Sequence, residues 1–175
     1  MIMGPRLRKA ALTAHVACSV GLLGAIIAFL ALALAGLSDV DGQLIPAAYL
    51  AMELTVWWVI VPLVIAALLT GLVQSLGTSW GIFRHYWVLA KLLVTTFVAV
   101  VLSLQLRLIG YLADAAAQTP VLMSDLEDLR LSPVLHAAGG LLVLLVPLVL
   151  SLFKPSGMTR YGWRKQHERP SPRMP

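Results

Sequence analysis

The chain has 175 residues, 59% of them hydrophobic and only 12% charged, with a formal net charge of +5 at pH 7. Soluble domains average about 25% charged residues, so a mean hydropathy of +0.88 excludes a water-covered globule. The basic charges sit in no soluble domain that could present them to nucleic acid, and a single cysteine, Cys18, excludes a disulfide framework or a cysteine-rich metal site.

Four apolar runs exceed the roughly 18–20 residues that cross about 30 Å of hydrocarbon as a helix. They are continuous rather than alternating, which disfavours a β-barrel. The expected fold is therefore all-α, a four-transmembrane-helix bundle over residues 1–153 followed by a basic tail, 154–175.

The first span is expected over about 10–37. The segment before it, "MIMGPRLRKAALTAHV", has the basic start of a signal peptide, but the apolar run is longer than an h-region of about 7–15 residues, so it reads as a retained helix. The second span covers about 46–76 and is kinked or locally opened at Pro62. The third covers about 85–107, continuing as far as 112. A long connection, "YLADAAAQTPVLMSDLEDLRLSP", is expected to hold a short amphipathic helix before the fourth span, 133–153, which contains Pro147.

Loop charges set the orientation. Arg6, Arg8 and Lys9 precede the first span, Arg84 lies in the second loop, and Lys154, Arg160, Arg164, Lys165, Arg169 and Arg173 fill the tail. Asp39 and Asp41 lie in the first loop, and Asp114, Asp125, Glu127 and Asp128 accompany Arg130 in the third. The positive-inside rule then places both termini in the cytoplasm. The tail, with Tyr161 and Trp163, is expected to bind anionic lipid headgroups at about 1 kcal/mol per basic residue.

Ionisable and polar groups at membrane depth are the candidate functional residues. At 1.5 Å per residue His15 lies roughly 7 Å inside the first span. Lys91, Thr70 and Gln74 fall at similar depth, with Cys18 and Ser19 a turn beyond His15. This is an inner polar layer. An outer layer holds Glu53, His136, Gln105 and Arg107. His15 and His136 should be about 15–20 Å apart along the membrane normal, so they cannot share one metal or haem iron.

At 100° per residue Lys91, Thr95, Val98, Leu102 and Gln105 form one stripe, expected to face the bundle. His136 and Gly140 align on the fourth span, and His15, Ser19 and Leu22 on the first. Opposite His15 runs a small-residue seam, Ala17, Gly21, Gly24 and Ala28, of the kind that lets another helix approach closely. It serves either a neighbouring helix of the same chain or a homodimer contact. Glu53 is expected to be compensated by Arg107 or His136. Trp57 and Trp58 are expected to pack within the bundle, and Trp80 and Trp87 to bracket the inner interface.

The segments "HVACSVGLLGAIIAFLAL", "HYWVLAKLLVTTFVAVVLSL" and "LSLFKPSG" resemble an uncharacterised family of small bacterial four-helix membrane proteins. More distantly, they are similar to membrane haem-binding protoporphyrinogen oxidases and to the membrane domain of copper-resistance protein D. The oxidase pattern has a histidine early in helix one followed by glycine, a lysine–leucine pair in helix three after aromatic residues, and a terminal lysine–proline. Here these match His15 with Gly21 or Gly24, Lys91-Leu92 after Trp87, and Lys154-Pro155. Where the oxidases carry further histidines, this chain has Ser38 or Asp39 and Ser103 or Leu104. The resemblance implies a multi-pass protein of the bacterial cytoplasmic membrane.

Three roles follow. In the first, haem b or a porphyrin sits on the cytoplasmic side between helices one and three. His15 is its axial metal ligand, Lys91 faces a propionate, and Cys18, Thr70 and Gln74 line the pocket. In the second, the bundle is a structural or partner subunit, Lys91 snorkels to the surface, and His15 bonds a hydroxyl such as Ser19 or Thr70. The third and weakest is copper handling by His15 and Cys18, with Met52 or Met123. Soluble-enzyme signatures such as the P-loop, G-x-S-x-G and H-E-x-x-H do not occur.

Overall fold

The computed structural model describes residues 3–38, 44–77, 82–118, 126–153 and 157–167. Asp39, Asp41, Trp80, Met123, Asp125, Lys154, Arg169 and Arg173 lie outside the described residues. Helix α1 runs Pro5–Leu37, α2 Leu44–Gly77, α3 Tyr86–Gln118, α4 Glu127–Phe153, and a short α5 Arg160–His167. Helices α1 to α4 are each long and apolar enough to cross a membrane. Helix α1 packs on α2 and α4, and α3 packs on the same two, so the chain forms a four-helix bundle in which α1 and α3 are diagonal. The start of α1, the end of α2, the start of α3 and the end of α4 share one end of the bundle, called here the basic end.

Each helix has a sequence cause for its limits. Pro5 occupies the first turn of α1, where its missing N–H is harmless. Helix α3 continues to Gln118, beyond the expected 107–112, because "ADAAAQ" is rich in alanine, the strongest helix former. Helix α4 begins at Glu127, six residues before Pro133, with acidic residues at its positive end. Extensions of α3 and α4 thus take up both ends of the connection expected to hold an amphipathic surface helix, and the rest of it, residues 119–125, lies outside the described residues.

The local opening expected at Pro62 is a π-helical turn over Val56–Ile60, where the Val61 amide donates to the Val56 carbonyl five residues back. Proline has no N–H to continue the α-helical ladder, and the wider turn absorbs the break just before it. Val56 and Ile60 point into the core, whereas Trp57 and Trp58 are 51% and 77% exposed. The two tryptophans thus face outward, correcting the expectation that they pack inside.

Packing is tightest towards the opposite end, called here the acidic end. Tyr49, Met52 and Leu112 are fully buried there among Ala33, Gly36, Ala48, Ala113 and Ala116. Small residues allow the close approach that stabilises helices in lipid, where both folded and separated helices are already out of water. Gly36 is one such contact, since a Cβ there would lie 3.1 Å from the Tyr49 ring.

At the basic end the start of the tail folds back on the second loop. The Thr159 amide donates to the Arg84 carbonyl at 2.9 Å and the Tyr86 amide to the Gly157 carbonyl at 3.4 Å. The Thr159 hydroxyl also donates to the Phe83 carbonyl. Gly162 makes this docking possible, because a Cβ would stand 2.5 Å from the Arg84 carbonyl oxygen. Helix α5 then presents Tyr161 and Trp163, both more than half exposed, beside exposed Arg160 and Arg164.

Candidate functional site

At the basic end His15 and Lys91 are held by different neighbours. The Thr70 hydroxyl donates to the Ala66 carbonyl at 2.6 Å, so its oxygen accepts from the His15 Nδ1–H at 3.1 Å. This tautomer leaves the His15 Nε2 lone pair uncommitted. The imidazole lies against Gly71, where a Cβ would come 3.0 Å from Cε1. His15 is thereby seated on α2. Lys91 instead donates to the Ser151 Oγ on α4 at 2.9 Å, and its ammonium stands 5.0 Å over the Trp87 ring, a cation–π arrangement. His15 and Lys91 remain within electrostatic range of each other.

Cys18 is half-buried with a free thiol, and Gln74 is half-buried one turn beyond Thr70. Met52 is fully buried at the acidic end, far along the helices from Cys18 and His15. Among the described residues no group of three or more His, Cys, Asp and Glu side chains gathers as a metal site. Ala17, Gly21, Gly24 and Ala28 are exposed, but a Cβ on Gly21 would stand 3.6 Å from Leu63 of α2, so that part of the seam abuts a helix of the same chain.

The outer layer is wired differently from the expected Glu53 pairing. His136 donates from Nδ1 to the Ser132 carbonyl at 2.8 Å, which leaves Nε2 to accept from the Gln105 amide at 2.9 Å. The Ser132 hydroxyl stands 3.5 Å from the Gln105 Oε1. Arg107 is exposed. Glu53 therefore pairs with neither Arg107 nor His136, and its Oε1 instead abuts α3, 3.6 Å from where a Cβ on Gly110 would be.

Sequence reasoning missed the most buried charged side chain among the described residues. Arg130 is 6% exposed and donates from Nη2 to the Gly36 carbonyl at 2.6 Å, with the buried Tyr49 hydroxyl beside its guanidinium. Counting it as a loop charge hid its register. Arg130 lies three residues before buried Pro133 and seven before buried Ala137, the spacing of a core-facing stripe.

Beside the outer layer the bundle holds a partly open cavity of about 350 Å³. Ile26 and Phe29 of α1, Val56, Ile60 and Val64 of α2, and Val98 and Leu102 of α3 form apolar walls. Helix α4 contributes His136, Gly139, Gly140 and Val143 at helical spacing. Gln105 and His136 are the polar side chains on this lining. Phe97 and Leu135, 60% and 61% exposed, mark where the cavity reaches the lipid-facing surface. The π-turn residues Val56 and Ile60 form part of the wall, a position where such turns often serve function.

No family model, curated protein or solved structure matches this chain.

Proposed function

We propose that the protein is a ligand-binding integral membrane protein that takes a small membrane-dissolved molecule into the cavity at the centre of its bundle. The observation that carries this reading is an apolar space of about 350 Å³ whose polar lining, among the described residues, comes from Gln105 and His136. Ligand sites have this composition, mostly apolar with a few placed polar groups, and begin at about 300 Å³. An opening beside Phe97 and Leu135 suits a molecule arriving from the bilayer. Protein purified in mild detergent should carry a stoichiometric apolar compound, detected by solvent extraction and mass spectrometry. Its absence, together with no thermal stabilisation by any added lipophile, would remove the reading.

The loop charges support our reading that both termini lie in the cytoplasm of a bacterial cell, with α5 against the inner leaflet's anionic headgroups. A cysteine introduced at Ser38 should react with an impermeant maleimide in intact cells, and one at Arg164 only after permeabilisation. The reverse pattern would invert the topology.

A second reading, haem or porphyrin at the basic end, is favoured by one observation, the uncommitted Nε2 of His15. Imidazole ligates iron through such a lone pair. Haem-supplied protein would then show a Soret band that His15→Ala removes. If the protein is colourless, His15 is a packing residue, and a cycle of His15→Ala and Thr70→Val should give a coupling of about 1 kcal/mol, the net value of one hydrogen bond.

A further inference from the structure

Resting on the cavity reading above, we infer that the ligand is an isoprenoid quinone, bound with one ring carbonyl on the Gln105 amide and its tail leaving towards the lipid beside Phe97. The polar end identifies the class. Nδ1 of His136 carries its proton towards the Ser132 carbonyl at 2.8 Å, so Nε2 accepts one Gln105 amide hydrogen at 2.9 Å. The second amide hydrogen of Gln105 then remains to be given to a ligand. A neutral N–H on an apolar lining selects an uncharged acceptor, which a ketone-type carbonyl supplies.

Charge excludes the other common lipids. Among the described residues no lysine or arginine lies on the lining, so a fatty-acid carboxylate or a phosphate would be drawn from water into an apolar space without a countercharge, which is unfavourable. A quinone ring carries no charge.

Shape agrees with this. Gly139 and Gly140 leave the α4 wall as bare backbone, and a Cβ on either would meet nothing within 4 Å. Phe29 and Phe97, from the diagonal helices α1 and α3, both line the same space. A planar ring can stack on such a side chain with a favourable offset, and the two glycines leave room for it. His136 acts here as a positioning residue, since it fixes which way the Gln105 amide points.

The test uses the full chain in lipid nanodiscs with two probes sharing one tail, decylubiquinone and decylbenzene. Decylubiquinone should bind saturably, lower its carbonyl stretching frequency on binding, and bind about tenfold less tightly to Gln105→Leu, as expected for one lost hydrogen bond in a dry site. Gln105→Met serves as a second variant should the first fail to fold. Decylbenzene should bind weakly and equally to wild type and either Gln105 variant. Gly140→Leu, whose added Cβ would meet nothing within 4 Å, should abolish binding of both. Equal affinity of the two probes, or an unshifted carbonyl band, would overturn the quinone inference while leaving the cavity reading intact. Failure of both probes to bind wild type would overturn the cavity reading itself.

Discussion

Arg130→Ala should lower the unfolding free energy by about 3 kcal/mol, measured by denaturant titration in mixed micelles. Arg130 reaches from α4 to the Gly36 carbonyl of α1 at 2.6 Å. That carbonyl lies in the last turn of α1, where the final four carbonyls lack helical partners. A cation there also complements the negative end of the helix dipole. Hydrogen bonds to charged groups are worth about 1.5–3 kcal/mol, and the void left by the side chain adds to the loss. Relieving the guanidinium of its burial offsets part of this, so Arg130→Met, which keeps volume without charge, should cost less than Arg130→Ala. Gly36→Ala tests the same junction from the other side. Its Cβ would press on the Tyr49 ring at 3.1 Å, and Tyr49, 1% exposed, has nowhere to move. Overpacking of this kind costs about 1–3 kcal/mol. Wild-type stability in both Arg130→Met and Gly36→Ala would mean that α1 and α4 are not joined there.

The spans were readable because hydrocarbon thickness imposes a length on any apolar run. The stripe from Thr95 through Val98 and Leu102 to Gln105 was readable because helical periodicity survives in lipid, and Val98, Leu102 and Gln105 do line the cavity. What depth and angle could not supply was the partner of each polar group. His15 and Lys91 share a layer, but His15 turns to Thr70 on α2 and Lys91 to Ser151 on α4. Those choices depend on the order of helices around the bundle and on Gly71, whose missing side chain makes room for the imidazole. The expected Glu53 pairing fails because groups at equal depth need not face each other, and Gln105 claims His136 through a neutral hydrogen bond. The cavity had no sequence signal of its own. It arises where two glycines on α4 face a π-helical turn on α2, a coincidence of positions some eighty residues apart.

Two leucines on α3 should separate packing from mere apolarity. Leu112 is 0% exposed and Leu104 is 72% exposed, two turns apart on the same helix, so truncation to alanine changes helix propensity equally at both. In water-soluble cores Leu→Ala costs about 2–5 kcal/mol, part of it from transfer out of water. Within a membrane that part shrinks, because separated helices keep their side chains in lipid. What remains is the dispersion lost when tightly packed neighbours face a void. Leu112→Ala should therefore cost about 1–3 kcal/mol and Leu104→Ala less than about 0.5 kcal/mol, as for most surface sites. Equal costs would place α3 in a different rotation. The contrast bears on the cavity, since Leu112 lies two turns beyond Gln105 and three residues beyond Ile109 of its wall. A tight seal around Leu112 fixes the rotation of α3. That rotation aims the Gln105 amide at His136, and the looser packing below it leaves the cavity open.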